Sequence, residues 1–277
     1  MPEIALEPRP GDSLGPYRIT RMIGRGRMGV VFEGTADGEE PVAVKVVTTE
    51  LTQDDVFLRR FRREVKAAQK ISHPNVVEVL AHGDEGGLPY LVQRLIPGGS
   101  LADRIASTGA LSLPEAVAML GQAAEGIDAL HAAGLVHRDI KPANILLDGD
   151  TPYVSDFGLA KDSQASNLTR PGQALGSLDY MAPEQIHGAE VTPQTDVYAL
   201  ACVAFECLTG APPYADRQGM RVLWAHLQDE PPSPLEKEPN LPPALGDAVL
   251  TGLAKDAGER PASASAYVEG LRSASGS

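Results

Sequence analysis

The chain has 277 residues, of which 43% are hydrophobic, and its formal net charge at pH 7 is −13. That length and apolar content suffice for one large domain or for two packed lobes with substantial cores. Up to Ile96 there are 13 Lys and Arg residues against 14 Asp and Glu, and after it 11 against 23. The acidic second part argues against a nucleic-acid-binding face. Its negative charge could favour basic or neutral protein substrates by electrostatic steering. The alternative is a solvated acidic surface that keeps the protein soluble.

No targeting or membrane segment is predicted. Residues Met1 to Pro10 are acidic and proline-rich and lack the apolar core of a secretory signal. The longest apolar run, about Val197 to Leu208, is interrupted by Glu206 and is short of the roughly 20 residues that a membrane helix needs. Cys202 and Cys207 would point to different faces of a helix, so we expect buried thiols without a disulfide. We therefore expect a cytoplasmic protein, which could also be the cytoplasmic part of a longer membrane-anchored receptor.

The first predicted elements are two strands joined by a glycine turn. Between Leu14 and Phe32, β-branched and aromatic residues flank the segment Gly24-Arg25-Gly26-Arg27-Met28-Gly29. Glycines have no Cβ, so a backbone rich in them can close over phosphates. The same pattern occurs in Rossmann nucleotide sites, but there a helix follows the third glycine directly. Here strand residues follow, and the turn Ala36-Asp37-Gly38 leads into another strand, so the strand–turn–strand interpretation is favoured.

A lysine lies in the middle of the next predicted strand, Pro41 to Val47. Lysine is rarely buried without a partner, so Lys45, between two valines, is expected to hold an anion. A helix is predicted over Asp54 to Ile71. Four apolar residues spaced by four and three positions form one face of it: Phe57, Phe61, Val65 and Ala68. Glu64 is the only acidic residue after Asp55 on this helix, and its partner is either Arg60 on the surface or a group outside the helix.

Further elements follow in chain order. Strands are predicted at Val76 to Leu80 and at Leu88 to Val92, around a glycine-rich turn. The stretch Gln93 to Gly99 then breaks the strand pattern. A helix is predicted from Ser112, with Ser112-Leu113-Pro114-Glu115 as a capping box and a stop at Gly134. Its predicted apolar face consists of Val117, Leu120, Ala124, Ile127 and Leu130.

The chemistry of the chain is concentrated in the stretch His137-Arg138-Asp139-Ile140-Lys141-Pro142-Ala143-Asn144. It places a carboxylate, an ammonium and an amide in one short loop. A second carboxylate follows at Asp156, in Asp156-Phe157-Gly158, after enough chain for a short hairpin to return to the same point. The carboxylate of Asp139 can orient a hydroxyl, and Lys141 can steady a phosphate. The oxygens of Asn144 and Asp156 suit Mg²⁺, which also takes ligands from phosphate and water.

A polar segment from Lys161 to Leu175 is predicted to be a mobile loop. It ends at Gly176-Ser177-Leu178-Asp179-Tyr180-Met181-Ala182-Pro183-Glu184. Taken in order, these motifs resemble the eukaryotic-like protein kinases, from roughly Tyr17 to Leu271. The catalytic stretch with Lys141 has the serine/threonine form. The nearest likeness is to bacterial (Hanks-type) serine/threonine kinases, particularly actinobacterial ones.

The resemblance implies an α+β, bilobal protein kinase fold. Its smaller lobe is a mostly antiparallel β-sheet with one key helix, and its larger lobe is mostly helical. The implied domains are an N-terminal extension (1–16), a kinase domain (17–271) and a C-terminal tail (272–277). Within the kinase domain, the N-lobe covers 17–93, the hinge 94–99 and the C-lobe 100–271. The implied activity is transfer of the γ-phosphate of ATP to Ser or Thr hydroxyls of proteins, with Mg²⁺ (Mn²⁺ as an alternative).

The resemblance also implies roles for individual residues. Asp139 and Lys141 are catalytic, and Asn144 and Asp156 hold the metal. The residues that it implies for the ATP-binding site are Ile23, Gly24, Arg25, Gly26, Arg27, Met28, Gly29, Val30, Val31, Ala43, Lys45, Glu64, Arg94 and Ile96. Among these, Lys45 holds the α/β-phosphates and pairs with Glu64, while the Arg94 carbonyl and the Ile96 amide face the adenine. Gln93 takes the gatekeeper position.

Structural and regulatory roles are implied in the second part of the chain. Glu184 pairs with Arg260, and Asp196 holds the backbone of the catalytic loop. Arg138 binds a phosphate carried by the activation segment, the stretch between Asp156 and Glu184. Thr169 is the main candidate for the phosphorylated residue. The other hydroxyls of that segment are Ser163, Ser166 and Ser177, the last of which is expected to touch Asp139 and Lys141. A homodimer would allow phosphorylation in trans.

Two alternatives stay open on the sequence. A pseudokinase would bind nucleotide without turnover, but such proteins usually lack one of the Lys, catalytic Asp or metal Asp residues that are present here. A small-molecule phosphotransferase can share the catalytic loop but would lack the docking segment that ends at Glu184.

Overall fold

A computed structural model describes the backbone of residues 7–26, 28–157 and 175–276 and, except for 175–177, their side chains. The chain divides into two compact units. The first comprises Met1–Ser72 and Val77–Pro97, and the second comprises His73–Val76 and Gly98–Ser277. The division falls inside the segment 94–99, whose role as a hinge stays a prediction.

The first unit is built on an antiparallel sheet. Its strands are β1 (Ser13–Leu14), β2 (Tyr17–Gly26), β3 (Gly29–Thr35), β4 (Val42–Val47), β5 (Val79–Glu85) and β6 (Leu88–Arg94). They lie in the order β1-β2-β3-β4-β6-β5, and every neighbouring pair is antiparallel. Alternate residues such as Ile19, Phe32, Val44 and Val92 point into one core, as expected for strands with a single buried face. The predicted strand–turn–strand arrangement of the glycine segment is confirmed.

Two helices complete the first unit, α1 (Thr49–Thr52) and α2 (Asp55–Ala68). The carboxylate of Asp54 caps α2 by accepting from the Val56 and Phe57 amides at 2.9 and 3.1 Å. The predicted apolar face of α2 is confirmed as buried. The predicted end at Ile71 is wrong: the helix stops at Ala68, and the Ile71 amide instead donates to the Ala68 carbonyl in a tight turn.

The predicted strand Val76 to Leu80 begins too early. Residues His73–Val76 belong to the second unit, where the Asn75 amide group donates to the Pro152 carbonyl at 3.0 Å. Val76 forms only an isolated bridge with Val154. The strand therefore starts at Val79, and its hairpin partner β6 continues through Gln93 and Arg94, where the sequence predicted a break.

The second unit is mostly helical. Its helices are α3 (Leu101–Thr108), α4 (Leu113–Ala132), α5 (Pro183–His187), α6 (Pro193–Thr209), α7 (Met220–Gln228), α8 (Pro243–Gly252) and α9 (Ala264–Ala274). One hairpin, β7 (Ile145–Asp148) and β8 (Thr151–Val154), packs with α4. Short 3-10 turns occur at Pro142–Asn144, Leu175–Tyr180, Pro234–Glu236 and Ala257–Glu259. The predicted α+β class, with a sheet first and helices after it, is confirmed.

Helix α4 leads directly into the catalytic loop. Its predicted apolar face is buried, which fixes the helix in the core of the second unit. The predicted capping box is wrong, because the Ser112 side chain makes no capping hydrogen bond. The Glu115 carboxylate that such a box would use instead accepts from Arg104 at 2.9 Å.

Helix α6 runs through the middle of this unit, with most of its residues buried. Cys202 and Cys207 lie on it as free, fully buried thiols, as predicted. Burial raises the pKa of both thiols well above the ordinary value. Within the described residues, no helix combines the length and apolar character needed to cross a membrane.

Candidate active site

The glycine-rich segment lies where β2 turns into β3. Gly26 and Gly29 are paired at the end of this ladder. A Cβ atom on Gly29 would lie 2.0 Å from the Val46 carbonyl oxygen, so only glycine fits at this close approach to β4. The remaining predicted nucleotide contacts of this unit lie on β2 (Ile23, Gly24, Arg25), before β3 (Met28), on β3 (Val30, Val31), on β4 (Ala43) and at or just after the end of β6 (Arg94, Ile96). Arg27 lies outside the described residues.

Lys45 and Glu64 both belong to the first unit. Lys45 lies in β4 opposite Val31 of β3 and Leu91 of β6. Glu64 is only 5% exposed, on the same face of α2 as the buried apolar residues. A carboxylate buried to this degree requires a charged or hydrogen-bonding partner. The pairing of Glu64 with Lys45 stays a prediction.

Two functional side chains of the catalytic loop contact the carboxylate of a third, Asp139. Lys141 Nζ lies 3.1 Å from Asp139 Oδ2. Asn144 Nδ2 donates to the same oxygen at 3.0 Å and to the Asp139 carbonyl at 2.8 Å. These contacts fix the direction of the Asp139 carboxylate. Since both bonds use the amide nitrogen, they also orient Oδ1 of Asn144 as the acceptor end of that side chain.

Asp196, in the first turn of α6, holds the backbone of this loop. It is fully buried, and its carboxylate accepts from the His137 amide at 2.7 Å and from the Arg138 amide at 2.8 Å. The bonds act where the chain is strained, because Arg138 has a φ of 66°, in the left-handed region that residues other than glycine rarely adopt. Asp196 thus contacts the loop backbone that the resemblance assigns to it.

His137 connects the catalytic loop to the segment before Asp156. Its Nε2 lies 2.8 Å from the Ser155 carbonyl, and its Nδ1 lies 3.2 Å from the Asp139 amide. Both contacts are hydrogen bonds only when Nε2 carries the proton and Nδ1 accepts. The buried imidazole therefore joins the two segments that carry Asp139 and Asp156.

The residues predicted to hold a metal ion fit Mg²⁺ chemically. The Ser155 amide and hydroxyl both donate to the Asn144 carbonyl at 2.9 Å. These bonds hold the backbone next to Asp156 against the backbone of Asn144. Asp156 also has a left-handed backbone, with a φ of 57°. A carboxylate and an amide oxygen are hard ligands of the kind that binds Mg²⁺ together with phosphate oxygens and water.

Glu184 and Arg260 form a buried, two-point ion pair. Arg260 Nη1 and Nη2 lie 2.8 and 2.9 Å from the two carboxylate oxygens of Glu184. Burial alone would raise the pKa of Glu184, but the bonds and charge of Arg260 and the Thr195 hydroxyl hold it below the ordinary value. The guanidinium also donates to three backbone carbonyls, those of Gln194, Ala254 and Lys255. The pair therefore ties α5 and α6 to the turn before α9.

Several contacts at the site were not anticipated from the sequence. Gln185 Nε2 donates to the Arg138 carbonyl at 3.0 Å, which links α5 to the catalytic loop. His131 Nε2 lies 2.7 Å from Asp196 Oδ2. Neither residue belongs to a spacing pattern, so only the folded structure identifies them.

The activation segment lies mostly outside the described residues. Gly158, Ser163, Ser166 and Thr169 fall there, as do residues 161–174 of the polar loop predicted to be mobile. Ser177 lies in the turn Leu175–Tyr180, but its side chain is not described. The roles assigned to these residues stay predictions.

Comparison with known proteins identifies the family. A model of the protein kinase domain matches residues 17–268. This chain belongs to the protein kinase domain family. The kinase domain of PknI from Mycobacterium tuberculosis has a similar crystal structure, with a TM-score of 0.80 and 29% sequence identity over 99% of this chain and 100% of that one. The predicted kinase fold is therefore confirmed.

Curated relatives carry the name serine/threonine-protein kinase. PknH from Mycobacterium bovis is 42% identical over 94% of this chain and 44% of its own length. PknD and PknE from Mycobacterium tuberculosis are each 41% identical, over 91% and 92% of this chain and over 39% and 45% of their own lengths. The chain thus spans less than half the length of these relatives. The resemblance to actinobacterial serine/threonine kinases is confirmed.

Proposed function

We propose that the protein is an ATP-dependent serine/threonine protein kinase. The observation that carries this proposal is the convergence of Lys141 and Asn144 on the Asp139 carboxylate, in a loop whose backbone is held by Asp196. The names of its relatives support the choice of Ser and Thr as acceptors.

In the proposed reaction, Asp139 orients the substrate hydroxyl and accepts its proton as the oxygen bonds to the γ-phosphorus of ATP. The bond to the β-phosphate oxygen breaks, and ADP leaves. Lys141, 3.1 Å from Asp139, offsets negative charge on the transferring group. Asn144 and Asp156 would hold Mg²⁺, which neutralises charge on the β- and γ-phosphates when bound. We propose that the reaction takes place in the cytoplasm, where ATP is supplied.

A transfer assay separates the proposal from the two alternatives. The purified chain is incubated with γ-labelled ATP and Mg²⁺, with a generic basic protein, with small hydroxyl compounds or with neither, and the products are resolved by size. A protein kinase labels the added protein or itself. Label found only on small acceptors would indicate a small-molecule phosphotransferase. ATP binding without any transfer would indicate a pseudokinase.

We expect Lys45→Met to abolish most transfer and Glu64→Gln to lower it less. The lysine is proposed to contact the phosphates itself, whereas Glu64, which is buried on α2, is proposed to act by holding Lys45. The measurement is kcat and KM for ATP in both variants, with Glu50→Gln, at the start of α1, as a control. Undiminished activity in Glu64→Gln, with and without prior autophosphorylation, would refute the pairing.

We further propose that Thr169 is an autophosphorylation site, phosphorylated in trans by a second copy of the chain. It is the only threonine between Asp156 and Glu184. A phosphate adds about −1.5 to −2 charge and three acceptor oxygens, enough to order a segment against an arginine such as Arg138. Intact-mass and peptide mapping should find this phosphate in active protein and not in Asp139→Asn. The rate of phosphate transfer should be lower in Thr169→Ala than in Ser163→Ala. If both variants worked at the parent rate, activation through Thr169 would be ruled out.

A further inference from the structure

A histidine near the end of α4 lies between two carboxylates. His131 Nε2 is 2.7 Å from Asp196 Oδ2, and its Nδ1 is 3.8 Å from Asp128 Oδ1. Its side chain is 9% exposed. The first distance is that of a hydrogen bond, and the second is that of an ion pair.

Each of these carboxylates is bonded to a different part of the second unit. Asp196 accepts from the His137 and Arg138 amides of the catalytic loop. Asp128 accepts from the Ala264 and Ser265 amides, both at 3.0 Å, at the start of α9. A continuous series of contacts therefore runs from the first turn of α9, through Asp128, His131 and Asp196, to the residue before Asp139.

The geometry favours protons on both ring nitrogens, because each nitrogen faces a carboxylate oxygen. A neutral imidazole has one N–H and one lone pair, so one nitrogen of His131 would direct its lone pair at a carboxylate oxygen. An imidazolium instead presents an N–H to Asp196 and another to Asp128. A fully buried carboxylate such as Asp196 is costly without a compensating charge, which the imidazolium supplies.

The charges around the ring agree with this assignment. Burial alone would lower the pKa of His131, but the bonds and charges of Asp128 and Asp196 raise it to about 9. Burial alone would raise the pKa of Asp128, but His131 and the start of α9 lower it to about 2. The groups facing the ring are thus Asp128 on its own helix and Asp196 on α6. Helix α9 and the catalytic loop act on it through their amides, by way of these carboxylates.

We propose that His131, as an imidazolium bridging Asp128 and Asp196, is a positioning residue that couples the start of α9 to the backbone of the catalytic loop. The proposal deepens the proposed kinase function, because the loop that it positions carries Asp139. The ion-pair geometry itself does not depend on that function.

Imidazole nitrogen NMR tests the protonation state without any activity. Spectra of the full chain, recorded from pH 6 to 10, should show one histidine with both nitrogens protonated up to about pH 8.5. That signal should be missing in His131→Gln and kept in His82→Gln, a control at an exposed histidine on β5. A His131 ring that is neutral at pH 7.5, or that titrates near its ordinary pKa, would overturn the proposal.

The coupling is tested by the variant Asp128→Asn. Removing this carboxylate leaves the contact with Asp196 in place, so His131 should lose its proton at a lower pH than in the parent. The backbone amide signals of His137 and Arg138 should change over the same pH range as the ring, and that range should shift down in Asp128→Asn. If the amide signals do not change as the ring titrates, the coupling is refuted, whether or not the protein is a kinase.

Activity supplies a second readout. We expect kcat of His131→Gln to be lower than that of the parent by roughly 2- to 30-fold, with little change in KM for ATP. The ratio of parent to variant kcat should be constant below about pH 8 and fall towards 1 as the pH passes the His131 pKa of about 9. A ratio that does not depend on pH would indicate a structural role only and would contradict the proposal. If the parent protein transferred no phosphate, the proposed function would be wrong. The NMR titration would still show whether His131 forms the ion pair.

Discussion

Replacing Asp139 by Asn should lower kcat by about 100- to 10,000-fold, the range that a general base contributes. The substitution keeps the size of the side chain but removes the charge that Lys141 contacts at 3.1 Å and the oxygen that would accept the hydroxyl proton. The measurement is the rate of phosphate transfer to a basic protein under saturating ATP and Mg²⁺.

The variant should remain folded and should still bind ATP. Its loop backbone is held by Asp196 through the His137 and Arg138 amides, which the substitution does not touch. Far-UV circular dichroism, melting temperature and ATP affinity close to those of the parent would make the loss specific to chemistry. Asp148→Asn, at the exposed end of β7, serves as the control with an unchanged rate. Turnover by Asp139→Asn at the parent rate would remove Asp139 from the proposed role.

Replacing Arg260 by Met should lower the free energy of unfolding by about 3–5 kcal/mol, because it leaves the Glu184 carboxylate buried without its cation. The Arg260 side chain is 0% exposed and that of Glu184 is 12% exposed. The matched control is Arg272→Met, which breaks an Arg–Glu pair whose side chains are 49% and 63% exposed. That change should cost less than about 1 kcal/mol. Urea unfolding of both variants makes the comparison, and equal losses would contradict the assignment of Glu184–Arg260 as a buried structural pair.

The pH dependence of this pair follows from the lowered pKa of Glu184. A carboxyl group whose pKa is lower in the folded state stabilises the fold above its unfolded pKa, and the stabilisation is lost as the pH falls through the folded value. The stability difference between the parent and Arg260→Met should therefore be full at pH 7. It should shrink as the pH falls below about 4.5, the ordinary pKa of a glutamate. A difference that grew on acidification would have the wrong sign.

Local patterns were sufficient to predict much of the fold. The β-branched residues that flank the glycine segment predict two strands and a turn, and the close approach of Gly29 to Val46 requires a glycine there. The buried face of α2 followed from apolar spacing alone. Asp139, Lys141 and Asn144 lie within six consecutive residues, so their convergence is a property of one loop.

Contacts between distant parts of the chain account for the wrong start of β5, for the wrong capping box at Ser112 and for the contact of His131 that the sequence does not show. The strand β5 begins later than its apolar pattern predicts, because Asn75 bonds to Pro152, a contact that no local pattern shows. The expected capping box at Ser112 fails because Glu115 pairs with Arg104 from another helix. His131 meets Asp196 across 65 positions of sequence. Such pairings depend on tertiary packing, which overrides local preference.

Phosphoamino-acid analysis tests the central claim most directly. A basic protein is incubated with γ-labelled ATP, Mg²⁺ and either the parent chain or Asp139→Asn, then hydrolysed and separated into phosphoserine, phosphothreonine and phosphotyrosine. We predict label in phosphoserine or phosphothreonine with the parent and nearly none with the variant. Label confined to phosphotyrosine, or equal labelling by parent and variant, would contradict the assignment of this loop as a serine/threonine kinase centre.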